Sequence, residues 1–226
     1  MCYRTFVSSL RLRAKRLNLR VSVIVPCAEK HAGLLAGVVQ NFAQQTIRPD
    51  EVVLAVSGSQ PLSSSILKTA PSLRVIPSVQ KTPAYAGANR NRGMSIASGD
   101  LLIFQDADDI SHPKRIEIIR RLFERYEIDH LMHEFCRDDL RNHVVDLRLA
   151  VQKAKYRPIY IKDSRLTNGS IAIMRRVAKR FRFDEKMRRG QDSAYNQNVY
   201  PHFRSTTAVL RLPLIEYRQH LSTLKR

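Results

Sequence analysis

The chain has 226 residues, with 39 Lys and Arg against 20 Asp and Glu, for a formal net charge of +19. That length supports one large domain or two small ones, and 43% hydrophobic with 26% charged residues is a globular composition. No apolar run is long enough for a bilayer span, Met1-Cys2-Tyr3-Arg4-Thr5-Phe6 lacks a secretory apolar core, and Cys2, Cys27 and Cys136 form no C-x-x-C pair. The expectation is therefore a reducing, cytoplasmic setting, with neither a disulfide framework nor a thiolate zinc site. The charge predicts attraction to polyanions, whether nucleic acid, anionic lipid or phosphorylated substrate, and calls for no specific nucleic acid.

Residues 1–28 contain no acid, and Arg4, Arg11, Arg13, Lys15, Arg16 and Arg20 precede the first apolar run. With Leu10, Leu12, Leu17 and Leu19 interleaved, residues 1–20 read as a basic extension: a short amphipathic helix on an anionic membrane, a transit signal or a tail. Val21-Ser22-Val23-Ile24-Val25-Pro26 predicts a buried parallel strand stopped by proline. A helix is expected over 33–44, a second strand over 51–56 ending in Ser57-Gly58-Ser59, a short helix over 63–70 and a third strand over 73–77. Residues 87–98 read as helix, 101–105 as strand, and 112–126 as a strongly amphipathic helix with Ser111 as N-cap and Pro113 in its first turn. Strands are expected over 131–136 and 170–174, helices over 175–180 and 193–200, and short late strands over 206–212 and 214–217. Residues 137–166 carry no clear pattern.

Alternating strands and helices predict an α/β fold with a doubly wound, mostly parallel central sheet and a smaller mixed region after it. No linker divides residues 21–226, so one domain is expected, with a first half over 21–125 and a second over 126–226. In such sheets ligands bind beyond the carboxyl ends of the strands. Pro26, Ser57 and the run Asp106-Ala107-Asp108-Asp109 all fall at strand ends and are expected on one rim. Three carboxylates within four residues repel one another unless a cation or strong donors hold them, and Mg²⁺ and Mn²⁺ prefer carboxylate oxygen and phosphate.

The ordered pieces Val21-Ser22-Val23-Ile24-Val25-Pro26, Asn41-Phe42-Ala43-Gln44-Gln45-Thr46, Pro49-Asp50-Glu51-Val52-Val53-Leu54, Gly87-Ala88-Asn89-Arg90-Asn91-Arg92-Gly93 and Phe104-Gln105-Asp106-Ala107-Asp108-Asp109 resemble the family 2 glycosyltransferases. Thinner matches follow at Phe183-Asp184-Glu185, Gly190-Gln191-Asp192 and Tyr217-Arg218-Gln219-His220. The resemblance implies a GT-A fold and a metal-dependent, inverting enzyme that moves a sugar from a nucleoside diphosphate to a hydroxyl acceptor. UDP is the default nucleotide, and the acceptor is a glycan, a lipid-linked sugar or a protein; the basic surface suits an acidic or membrane-associated acceptor and peripheral contact of the protein with an anionic membrane.

The same resemblance assigns roles. Asp106 and Asp108 stand as the D-x-D pair, Asp108 for Mn²⁺ or Mg²⁺ and Asp106 for the ribose or the metal's water shell. Asp192 stands as the base that takes the acceptor proton. His220 stands as a second metal ligand, and Arg90 points toward the nucleotide, on its diphosphate or its base. Two departures touch base recognition. Val56-Ser57-Gly58-Ser59 replaces the family's Asp-Asp-Gly-Ser, leaving Ser57 as a partial substitute. Cys27-Ala28-Glu29 replaces Thr-Tyr-Asn, which removes an aromatic ring and leaves Glu29 for one hydrogen bond. The competing readings are a nucleotidyltransferase, opposed by Cys27-Ala28-Glu29-Lys30-His31 where a glycine-rich loop would stand, and a non-catalytic polyanion-binding protein on the same scaffold.

Overall fold

The structure, a computed structural model, describes residues 8–59, 62–157 and 168–218. Among these, β1 (Val21–Ala28), β2 (Glu51–Ser57), β3 (Val75–Gln80) and β4 (Leu101–Phe104) alternate with α1 (Leu35–Ala43), α2 (Ser64–Lys68) and α3 (Ala86–Ile96). The second half holds β5 (Ile110–Ser111), α4 (Arg115–Arg125), β6 (His130–Cys136), α5 (Leu147–Lys153), β7 (Ala154–Tyr156), β8 (Ile171–Met174), α6 (Arg175–Arg180), α7 (Gln191–Val199) and β9 (Thr207–Glu216). One sheet runs β3-β2-β1-β4-β8-β6-β9-β5, with β7 paired to β9. β1 to β4 are mutually parallel, and β8 joins β4 antiparallel, so the expected parallel half and mixed half meet at that seam.

The period-two alternation of the strands feeds two cores. Val21, Val23 and Val25 pack with α1, α4 and α5 on one face, while Ile24, Leu102 and Phe104 pack with α3, α6 and α7 on the other. Both faces are covered, which is why the strands read as nearly continuous apolar runs.

Several local expectations change. Residues 8–20 form no helix. Ser8 bridges Tyr156, Leu12 bridges Tyr126, and the Arg13 amide donates to the Arg125 carbonyl at 2.9 Å, so this segment lies extended along the domain. Ser111 does not cap α4. It sits in β5, where its hydroxyl donates to Gln105 Oε1 at 2.6 Å, and α4 begins only at Arg115. The two late strands are one, β9, because register shifts in the pairing with β6 accommodate Pro213, which has no N–H to offer. Within the patternless 137–166 stretch, Asp146 caps α5 through the Leu149 amide at 2.6 Å. No helix among the described residues is long and apolar enough to cross a membrane.

Candidate active site

Parallel strands β1 and β4 lie side by side, Ile24 opposite Phe104; β4 ends there and β1 runs on to Ala28, so the last residues of β1 and the chain after β4 reach the same rim. A cavity of about 410 Å³ opens there. It brings together Pro26 from β1, where the strand does not stop at the proline but pairs on to Ala28, with Arg90 from α3, Asp106 and Asp108 after β4, and Asp192 from α7. Five of the residues singled out in the sequence thus converge. Glu29 and Ser57 do not line the cavity. The Glu29 carboxylate instead accepts from the Ser59 amide at 2.9 Å and folds across Gly58. Gly58 has a φ of 152°, and a Cβ there would collide with the Glu29 side chain. Ser57 is buried and accepts from Asn89 Nδ2 at 2.9 Å, so it positions α3. His220 lies outside the described residues.

Arg90 does not stand free for a ligand. Its side chain is 1% exposed, with Nη2 donating to Asp106 Oδ1 at 2.8 Å and Nη1 to Gln191 Oε1 at 3.1 Å. Nη1 also lies 3.2 Å from Asp192 Oδ1, and the guanidinium sits over the Phe183 ring, 5.3 Å from its centroid. Burying a charge of this kind is tolerable only when it is paired, and two carboxylates do the pairing.

Asp192 belongs to the first turn of α7, after Gly190, whose φ of 73° turns the chain into the helix. The Asp192 carboxylate is not occupied as a cap: it is 96% buried, and neither oxygen has a hydrogen-bond partner. Burial pushes it up to about 6, against the pull of Arg90 and with the repulsion of Asp106. It is therefore a mostly ionised carboxylate at neutral pH with a proton affinity raised toward that of a general base.

In the 106–109 turn, burial and neighbouring carboxylates raise the proton affinity of Asp108 and Asp109. Burial and the nearby Asp106 raise Asp108, while His31 and Lys30 pull it down. Burial and Asp106 push Asp109 up to about 8. Asp109 accepts from the Arg218 amide at 3.1 Å and so ties the turn to the end of β9, two residues before His220. Asp108 forms no ion pair among the described residues, and it faces the cavity. Carboxylate oxygens are the donors a hard divalent cation takes, and its charge would relieve the repulsion among Asp106, Asp108 and Asp109.

Arg115, buried and absent from the sequence reading, braces the same turn from the other side of the sheet. It donates to Gln105 Oε1 at 2.6 Å, Ser111 Oγ at 2.9 Å, the Phe104 carbonyl at 2.8 Å, the Gly169 carbonyl at 2.6 Å and His133 Nε2 at 3.1 Å. Tyr85, Lys30, Arg188, Arg189 and Tyr217 also line the cavity. Tyr85 is 48% exposed and sits just before α3. Its only sequence signal is an aromatic residue in a polar loop. Cys27 lines the cavity too, but burial and Asp108 push its thiol up to about 12, so it stays protonated and inert. A Cys136, Asp138 and His143 group has donor atoms within 4.8 Å of one another outside the cavity. The His143–Asp138 pair at 3.0 Å and a thiol pushed up by burial to about 11 account for it without a metal.

Residues 22–188 match the family model described as Glycosyl transferase family 2. An uncharacterized glycosyltransferase of Methanocaldococcus jannaschii is 28% identical over 109 residues, 47% of this chain and 38% of that protein. Another, from Nostoc, is 26% identical over 132 residues, 57% of this chain and 40% of the relative. The chain thus spans about two fifths of these relatives. The crystal structure of S. aureus TarS with UDP-GlcNAc superposes with a TM-score of 0.66 at 17% identity, covering 92% of this chain and 62% of TarS. Glucosyl-3-phosphoglycerate synthase from Mycobacterium tuberculosis, solved with Mg²⁺ and UDP, gives 0.62 at 18%, covering 89% and 72%. The α/β architecture expected from the sequence is the one these structures share.

Proposed function

The chain belongs to glycosyl transferase family 2, and from that premise we propose that it transfers a sugar from a nucleoside diphosphate, by default UDP, to a hydroxyl on a glycan, a lipid-linked sugar or a protein. The observation that carries this reading is the convergence of Asp106 and Asp108 with the buried, hydrogen-bond-free carboxylate of Asp192 in one cavity. Asp192 takes the proton of the acceptor hydroxyl as its oxygen bonds to the anomeric carbon. The anomeric bond to phosphate breaks on the opposite face, and the sugar inverts. Arg90 keeps Asp192 and Asp106 at fixed separation. Asp108, with Asp106 beside it, would hold Mn²⁺ or Mg²⁺, which neutralises the charge gathering on a departing diphosphate. Lys30, Arg188 and Arg189 add positive charge around the same cavity and favour a phosphorylated ligand.

Tyr85 takes the place of the aromatic ring missing from Cys27-Ala28-Glu29. Its partly exposed ring offers the nucleobase a stacking face at the edge of the cavity.

A thermal-shift screen of nucleoside diphosphates and their sugar conjugates, with and without Mn²⁺, tests the reading. A ligand that binds only the folded state raises the melting temperature. UDP with Mn²⁺ is expected to do so more than either alone. Absence of a shift with every nucleoside diphosphate overturns the donor assignment. Release of sugar from the donor then separates an active enzyme from a binding protein.

A further inference from the structure

We propose that the arginine-rimmed groove between the N-terminal segment, α4 and α5 is a docking surface for an anionic bilayer. The proposal refines the membrane contact expected from the sequence, and it stands on residues that take no part in the candidate active site.

The groove has a volume of about 1180 Å³. It is lined by Leu12, Leu147 and Val151 and by Arg13, Arg16, Arg121, Arg125 and Arg148, with Glu117 as the one acid among its lining residues. The positive charge is not cancelled locally. Glu124 is shared by Arg120 at 3.0 Å, Arg16 at 3.4 Å and Arg121 at 3.8 Å, and Arg120 also reaches Asp50 at 3.9 Å, so three guanidinium groups face two carboxylates. Arg13 is satisfied by the carbonyls of Phe123 at 2.9 Å and Ile128 at 3.0 Å, which carry no net charge. Arg125 and Arg148 are exposed and form no ion pair among the described residues.

The extended backbone explains why an apolar side chain is displayed among these charges. The Arg11 carbonyl accepts from the Glu127 amide at 2.9 Å, and the Arg13 amide donates to the Arg125 carbonyl at 2.9 Å. With both neighbours fastened and the Arg13 side chain turned inward, alternation along an extended chain turns Leu12 outward, where it is 61% exposed. Leu147, across the groove on α5, is 37% exposed. Arginines that reach lipid phosphates, beside leucines that enter the acyl boundary, are the two components of interfacial binding. A nucleic acid would be met differently. The groove's aromatic residue, Tyr126, is buried and offers no face for a base, and outward leucines add nothing to phosphate contacts.

Vesicle flotation of the full chain tests the proposal, with phosphatidylcholine alone and with about one quarter phosphatidylglycerol. Binding is expected to the mixed vesicles only and to weaken with salt. Arg125→Glu combined with Arg148→Glu should lower affinity at least about twentyfold, since each juxtamembrane charge contributes roughly fivefold. Leu12→Ser combined with Leu147→Ser should lower it at least about tenfold while leaving the salt dependence in place. Equal binding to both vesicle types, or no binding to either, overturns the proposal. So does vesicle binding that survives the serine pair while a labelled polyuridine binds tightly, which would make this a nucleic-acid surface. Circular dichroism melts establish that each variant folds, and the UDP–Mn²⁺ thermal shift reads the candidate active site separately. Loss of that shift in the unmodified chain counts against sugar transfer and leaves this surface in place.

Discussion

Asp106 and Asp192 are bridged by one buried guanidinium, with Arg90 Nη2 at 2.8 Å from the first and Nη1 at 3.2 Å from the second. One carboxylate follows β4 and the other lies on α7, so Arg90 fixes the distance between the turn after β4 and the first turn of α7. Arg90→Ala leaves the buried Asp192 and the half-buried Asp106 unpaired and should cost about 3–5 kcal/mol of stability. Arg90→Lys keeps the charge without the planar fork and should cost less, with UDP–Mn²⁺ binding partly retained. Urea denaturation beside calorimetric UDP titration checks both, and an alanine variant of unchanged stability refutes the brace.

The pH dependence of transfer follows from Asp192. Its carboxyl is held up to about 6 by burial, with Arg90 pulling it down and Asp106 pushing it up. A base works when ionised, so the rate should be near its plateau above pH 7 and fall roughly tenfold per pH unit well below 6. Asp192→Asn should retain UDP binding and lose at least about a thousandfold in transfer. Full transfer by that variant removes Asp192 from the mechanism.

Asp108→Ala should uncouple nucleotide binding from the cation. In the parent chain Mn²⁺ should strengthen UDP binding, and in the variant UDP binding should no longer respond to Mn²⁺. Donor hydrolysis should vanish with it. A variant that still responds to Mn²⁺ would place the cation elsewhere.

Arg115→Met removes the donor for Gln105, Ser111, Phe104, Gly169 and His133 at once. Buried acceptors left without partners should lower stability by about 3 kcal/mol or more. Where the variant remains folded, its loosened 106–109 turn should raise the Mn²⁺ concentration needed for UDP binding. Arg115→Lys should restore part of the stability and little of the metal response. A metionine variant as stable as the parent refutes the brace.

Tyr85→Ala should weaken UDP binding about tenfold, in line with roughly 1–3 kcal/mol for stacking of a base on an aromatic ring. Tyr85→Phe should retain affinity, because the ring face rather than the hydroxyl is used. Equal UDP affinity in all three chains excludes Tyr85 from base recognition.

The acidic turn after β4 was legible because its signal is local, an apolar run followed by acids at Asp106; the apolar run of β1 was legible too, but Pro26 does not end it, since the strand continues to Ala28. Parallel topology then places them on one rim without further information. Roles set by tertiary burial were not legible. Arg90 and Arg115 look like ordinary helix-surface charges, and only packing reveals that both are enclosed. Ser111 carries a capping signal, but Gln105 and Arg115 compete for its hydroxyl and win. Leu12 fits a basic amphipathic helix as well as an extended strap, and pairing with Tyr126 decides between them. Tyr85 sits in a loop where no periodicity exists to mark it.

The clasp of Glu29 over Gly58 bears on how this cavity can change over time. In the segment around residues 27–29 the Glu29 side chain is fastened to the turn after β2 through Ser59, whereas the acidic turn is fastened by Arg90 and, through Phe104, by Arg115. Substitutions in the first segment therefore put little mechanical load on the second. Such a partition lets Glu29 and Ser59 change while Asp106, Asp108 and Asp192 keep their arrangement.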